Sequence, residues 1–141
     1  MAASSAIDGY QTTFAIGDGE TPEVFTALAE VMSITPPSDA LDIYEVTHLS
    51  SPDRTKEFRA GFSDPGECQV VINFIPGGAD DTVLQAIRNT GEVGNYRITY
   101  NNSDTWTFAA IMTGYQPGEI THDDRLSATL TFKLTGTYAV A

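Results

Sequence analysis

The chain has 141 residues, 41% of them hydrophobic, with seven Lys and Arg against nineteen Asp and Glu, a formal net charge of −12. That length suits one domain with a real core, burying about 68–70% of the unfolded surface. The charge argues against a protein that grips nucleic acid, since phosphate contacts need cations. The lone Cys68 rules out an intrachain disulfide and a cysteine-based zinc site.

The segment Met1–Ser5 is small and polar and reads as the start of a flexible arm reaching to residue 10. MAASSAIDGY lacks the basic and apolar regions of a signal peptide. No apolar run approaches the roughly 20 residues of a membrane span. Manufacture in a cytoplasm, without a membrane partner, is the expectation.

Tyr10, Thr12, Phe14 and Ile16 alternate with Gln11, Thr13 and Ala15, a first strand closed by Gly17-Asp18-Gly19. Asp18 and Glu20 lack the remaining spacing of a calcium loop and read as a turn. Val24–Ile34 fits helix and strand alike, stopping at Pro36-Pro37. Leu41–Thr47 sets Leu41, Ile43 and Glu45 against Asp42, Tyr44 and Val46. This is a strand with neither face wholly apolar, as where one side meets a neighbour or a wet lumen.

THLSSPDRTKEFRAGF, Thr47–Phe62, departs from the acidic pattern by placing Arg54, Lys56 and Arg59 within six positions. A basic, extended loop on an acidic chain seeks an acidic surface, and the nearest abundant one is another copy. Glu57–Phe62 is extended, up to the turn Ser63-Asp64-Pro65-Gly66. In Glu67–Ile75, Cys68, Val70, Ile72 and Phe74 face one way, which makes Cys68 a small buried hydrophobe. Asp80–Thr90 is the one clear helix, with acids at its start, Arg88 near its end, Gly91 as C-cap and Val83, Leu84 and Ile87 as its apolar stripe. Tyr96–Tyr100 and Thr105–Thr113 form a hairpin through Asn101–Asp104, and Trp106, Phe108, Ala110 and Met112 share a face. Leu126–Gly136 opposes Leu126, Ala128, Leu130, Phe132 and Leu134 to Ser127, Thr129, Thr131, Lys133 and Thr135. The sum is a mainly β chain, an antiparallel β-sandwich or partial barrel with one flanking α-helix.

Catalytic signals are weak. His122, Asp123 and Asp124 are sequence neighbours in a turn, with no G-x-S-x-G word nearby. His48 and His122 lack metal-ligand spacing. The reading is a non-enzyme with no cofactor and no metal.

The ordered set GDG, EVFTALAEVMSITPP, LDIYEVTHLSSPDRTKEFRAGFSDPGE, QVVINFIPG, DDTVLQAIRNTG, WTFAAIMTGY and LSATLTFKLTG spans Gly17 to Gly136. It resembles the major tail tube proteins of long flexible-tailed, lambda-like bacteriophages. The resemblance turns Val24–Ile34 towards strand. It implies a single tail-tube domain over residues 1–141, with a long assembly loop at 47–58 and a short tail at 137–141. It implies a structural subunit in stacked hexameric rings, located in the virion tail and assembled in the host bacterial cytoplasm. Partners would be other copies and the initiator, length-measuring and terminator proteins, with an acidic lumen that conducts DNA during ejection without specific binding. Four lumen strands per copy give a barrel of about 24 strands and roughly 50 Å across its backbone. The inter-subunit loop residues are then Arg54, Lys56, Glu57 and Arg59. The lumen candidates are Asp42, Glu45, Asp104, Thr105 and Thr107. The alternatives are a tail terminator or completion ring, and a β-sandwich binding or decoration module presenting Tyr44, Tyr96, Tyr100 and Trp106.

Overall fold

A computed structural model describes residues 3–136 and 139–140. The strands are β1 (Thr13–Gly17), β2 (Phe25–Ala27), β3 (Val31–Thr35), β4 (Ala40–Glu45), β5 (Phe58–Asp64), β6 (Glu67–Asn73), β7 (Gly94–Thr99), β8 (Thr105–Pro117), β9 (Ser127–Leu134) and β10 (Ala139–Val140). The helix α1 is Ala79–Thr90. One antiparallel sheet runs β2-β1-β7-β8-β9-β6-β3, with β10 beside β8, and β4 and β5 form a separate two-stranded ribbon.

The sheet is bent by its aromatic residues. Strands β1 and β9 stand three places apart, about 14 Å in a flat sheet. Yet the rings of Phe14 and Phe132 lie 5.3 Å apart, and Tyr96 meets Phe132 at 4.5 Å and Phe14 at 5.8 Å. Such distances require the sheet to curl around them into a partial barrel, not closed into a ring. Phe108, Val70, Ile98, Leu130 and Leu84 complete the buried centre. Removing the Phe132 ring would cost about 3–5 kcal/mol, the range for a fully buried aromatic. Cys68 is fully buried as expected, and burial pushes its thiol up to about 12.

Several boundaries differ from those read in the sequence. The first strand starts at Thr13, because Gln11 takes a left-handed φ of 66° and Tyr10 is exposed. Val24–Ile34 is two short strands, β2 and β3, folded about the buried Leu28, whose N–H donates to the Phe14 carbonyl. The Glu67 strand stops at Asn73, leaving Phe74 half-buried against Tyr115. A bulge between Met112 and Gly114 carries β8 on to Pro117 and turns Tyr115 inward. On α1 only Leu84 is buried; Val83 is 47% exposed, so it leaves the expected stripe.

The helix is held at its acidic end. Asp80 accepts the Ala29 N–H at 2.9 Å, and Asp81 accepts the Tyr115 hydroxyl at 2.6 Å and the Gly77 N–H at 3.0 Å. The Tyr115 bond, then the Gly77 bond, hold the Asp81 carboxyl below its usual range, while burial and Asp81 push the Tyr115 phenol up. At the other end Gly91, at φ 63°, returns its N–H to the Ile87 carbonyl.

The ribbon continues the β3–β6 pair outward. Thr35 is the last β3 residue paired with β6, at Gln69, and Ala40 pairs with Asp64 where β4 begins and β5 ends. Pro36–Asp39 and Pro65–Gly66 make the bend between the two halves. Gly66 sits at φ 87°, and a Cβ there would drive into the Ser38 carbonyl.

Two outcomes follow from these contacts. Gly66→Ala should lower stability by about 1–3 kcal/mol through strain at the bend, read by denaturant unfolding. A depressed carboxylate contributes above its unfolded pKa and loses that contribution as pH falls through its folded value. Tyr115→Phe should therefore flatten the acid limb of a Tm-against-pH curve relative to the unsubstituted chain.

Candidate assembly interface

Among the described residues the β4–β5 ribbon pairs with no other strand of the chain. Every residue of β4 and of β5 is exposed. Ile43 pairs with Ala60, and Glu45 with Phe58, on one face; Tyr44 pairs with Arg59 on the other. Leu41, Ile43 and Phe58 thus make an apolar face with Glu45 at its end. Phe62, at the bulge, is 90% exposed. A two-stranded ribbon is at best marginal alone in water, so its exposed apolar side chains mark it as a candidate contact surface.

The loop at its tip is folded, contrary to a simple extended excursion. Glu57 is its centre: the Ser51 hydroxyl donates to its carboxylate at 2.6 Å, His48 Nε2 lies 3.5 Å away, and its N–H donates to Thr47 Oγ1 at 2.9 Å. The Val46 N–H donates to its carbonyl at 2.8 Å. At the apex Pro52–Arg54 is a single 3-10 turn in which Asp53 and Arg54 both take positive φ, 53° and 57°. Two such non-glycine residues are held only where surrounding bonds over-determine them.

Arg54, Lys56 and Arg59 are exposed, and none joins the ion pairs among the described residues, His48–Glu57, Arg125–Asp124 and Lys133–Asp64. Of the four loop residues singled out in the sequence, the three cations therefore point outward and Glu57 turns inward. That division was not legible, because Glu57 was grouped with the three cations as an inter-subunit residue and nothing in the local pattern marks its bonds to Ser51 and Thr47.

The five lumen candidates fall in two places. Thr105 and Thr107 lie on the non-core face of the main sheet, opposite Thr99 and Arg97 of β7, and Asp104 closes the adjoining turn through Asn102. Asp42 and Glu45 are on the ribbon, on opposite faces: Asp42 lies beside Gly61 and Tyr44, whereas Glu45 pairs with Phe58. The same non-core face carries Thr129 and Thr131 of β9, against Val71 and Gln69 of β6. It forms a broad hydroxyl surface that single-strand patterns only hinted at. Its two cations are engaged. Arg97 donates to Thr107 at 3.3 Å and lies 4.0 Å over the Phe25 ring, and Lys133 pairs with Asp64 at 2.8 Å.

Elsewhere the residues weighed for chemistry are dispersed. His122 and Asp123 are exposed in the loop before β9, and Asp124 pairs with Arg125. Among the described residues no group of three His, Cys, Asp or Glu is placed to hold a metal ion, and no helix is long and apolar enough to cross a membrane. Of the aromatics a binding module would present, Tyr96 is core, Tyr100 and Trp106 are half-buried against each other at 6.4 Å, and Tyr44 alone is exposed. Within the N-terminal arm, Asn101 donates to the Asp8 and Tyr10 carbonyls, so residues 8–10 are pinned to the β7–β8 turn. Residues 1–2 of that arm, and 137, 138 and 141 of the C-terminal tail, lie outside the described residues; Ala139 and Val140 pair with β8.

Replacing Glu57 by Leu should release the tip while leaving the core intact. Faster amide exchange confined to residues 47–57, at unchanged near-ultraviolet dichroism, is the expected result.

Comparison with known proteins gives a consistent picture. A chain of the tail of an empty gene transfer agent particle, refined with C6 symmetry, matches at TM-score 0.76 and 17% identity, covering 96% of this chain and 99% of that one. A chain of an extracellular contractile injection system, in the PVC sheath/tube terminator in its extended state, matches at TM-score 0.77 and 15% identity over 99% of both. The SPP1 tail tube matches at TM-score 0.66 and 9% identity, over 96% of this chain and 78% of that one. At these identities the likeness speaks for the fold. No curated protein matches the sequence. The family model of the lambda phage tail tube protein matches residues 8–141, and the chain belongs to that family.

Proposed function

We propose that this tail tube subunit assembles with copies of itself into stacked rings through the β4–β5 ribbon and its basic tip, and that the hydroxyl face of its main sheet lines the bore. The reading rests on one observation: the ribbon exposes Leu41, Ile43, Phe58 and Phe62, and among the described residues it joins no other sheet. Burying such side chains is worth about 1.5–3 kcal/mol each. Exposed ion pairs contribute about 0–1 kcal/mol each. The apolar face therefore supplies the affinity. Arg54, Lys56 and Arg59, brought to a neighbour of net charge −12, supply direction and register.

The same arithmetic of charge applies to the bore. A wall of Thr99, Thr105, Thr107, Thr129 and Thr131, edged by Asp104, neutralises no phosphate and releases no counterions. Arg97 and Lys133, the cations on that face, are already engaged. DNA passing along it would find water and hydroxyls but no cationic grip. On this reading the subunit is a non-enzymatic virion component made in the host cytoplasm. Its further partners are the proteins that start, measure and end the tube.

Charge reversal at Arg54→Glu with Lys56→Glu should abolish tubes seen by negative-stain microscopy, with the monomer's dichroism and Tm unchanged. Tubes of normal length in that variant would overturn the role given to the tip.

A further inference from the structure

Among the described residues the ribbon's bonds to the body of the fold lie at its root, and they include one ion pair. Lys133 Nζ, on β9, lies 2.8 Å from Asp64 Oδ1, the last residue of β5. The same carboxylate oxygen accepts the Gly66 N–H at 2.9 Å, and the Gly66 carbonyl accepts the Leu134 N–H at 3.1 Å. Across the β6–β9 pair Lys133 stands opposite Glu67, yet its ammonium reaches past that register partner to the ribbon. We infer that the Asp64–Lys133 pair is a positioning device, fixing the angle at which the ribbon leaves the body and so the place where its apolar face meets the next copy.

Magnitudes separate this role from a stabilising one. Both side chains are substantially exposed, 56% for Asp64 and 41% for Lys133, and an exposed pair adds little to folding stability. Direction is different. Six residues of β4 reach about 20 Å from the bend, so a rotation of about 10° at the root displaces the far end by about 3.5 Å. That is most of the spacing between neighbouring strands, enough to lose the register of any contact. The Lys133 bond, then the Gly66 N–H, hold the Asp64 carboxyl below its usual range, so the link persists above the carboxylate range and loosens as pH falls through it.

The inference rests on the self-assembly reading for its consequence, but its geometry is measurable in the monomer. Nitroxide labels at Leu49→Cys on the tip and Val83→Cys on the helix occupy exposed positions, and the native Cys68 is fully buried. Asp64→Asn keeps an acceptor for the Gly66 N–H and removes the charge; Lys133→Met keeps the stem and removes the ammonium. Each is expected to broaden or shift the electron–electron distance distribution and to reduce tube formation at unchanged Tm. Lys133→Arg should preserve both, and the Asp64→Asn, Lys133→Met double variant should be no worse than either single one. An unchanged distance in the single variants overturns the positioning role whatever the tubes do. A changed distance with normal tubes overturns its place in assembly. Failure of the unsubstituted chain to form tubes counts against the self-assembly reading, and leaves the distances to decide the angle.

Discussion

The fold depends on the meeting of Phe14, Tyr96, Phe108 and Phe132 inside the curl of one sheet. Their strands lie side by side, but the rings pack as though the sheet had folded on itself, with centroids from 4.5 to 6.4 Å. Curling gives the two faces of every strand different fates. The inner face fills with Val70, Ile98, Leu130 and the aromatics; the outer face is left to threonines, which suit β-strands and stay hydrated without charge. Sequence alternation, core and wall are then one fact seen at three scales. Helix α1 adds a plug at one place: Leu84 enters the core while Asp80 binds the β2–β3 connection and Asp81 binds Tyr115 of β8.

Because the body satisfies itself, what remains unsatisfied is informative. The ribbon has no core face, and its Phe62 is nearly as exposed as in an extended chain. Exposed apolar strands are hazards in a monomer, since they invite indiscriminate pairing. The charge of −12 opposes that by repelling copies at long range, with a screening length of about 8 Å in physiological salt. On the proposed reading the tip's cations reverse the sign locally, so that approach is favoured in one orientation, and repulsion elsewhere makes the contact selective.

Much of this was legible in the residues. Alternation in Cys68–Ile72, Trp106–Met112 and Ala128–Leu134 identified the buried face, and acids before an apolar stripe located the helix. The failures share a cause, in that local pattern does not report what a side chain meets far away in sequence. Val83 looks as apolar as Leu84, but only Leu84 points at the sheet. Tyr115 changes face because of a bulge between Met112 and Gly114, which period-2 counting cannot foresee. Glu57 is drawn inward by Ser51 and His48, residues that the charge pattern treated as bystanders. In the loop the cations were visible as an anomaly of charge. The apolar face was only partly so: Leu41–Thr47 reads as a strand meeting a neighbour or a lumen, but nothing local shows that Phe58 joins Ile43 on one exposed face.

That last distinction bears on how a tube subunit is specified at all. A core residue and an interface residue have the same chemistry; what separates them is whether the chain can bring a partner to them. Here the bend at Pro36–Asp39 and Pro65–Gly66 carries β4 and β5 away from the sheet that β3 and β6 belong to, and Gly66 admits no side chain because the Ser38 carbonyl occupies the space. Were the bend straightened, the ribbon would lengthen the β3–β6 pair and its position relative to the body would change with it. A few residues at the bend thus determine which half of one long hairpin joins the core and which half stays exposed. On the proposed reading the apolar sequence of the ribbon supplies affinity, and the geometry of its root directs that affinity to a neighbouring copy.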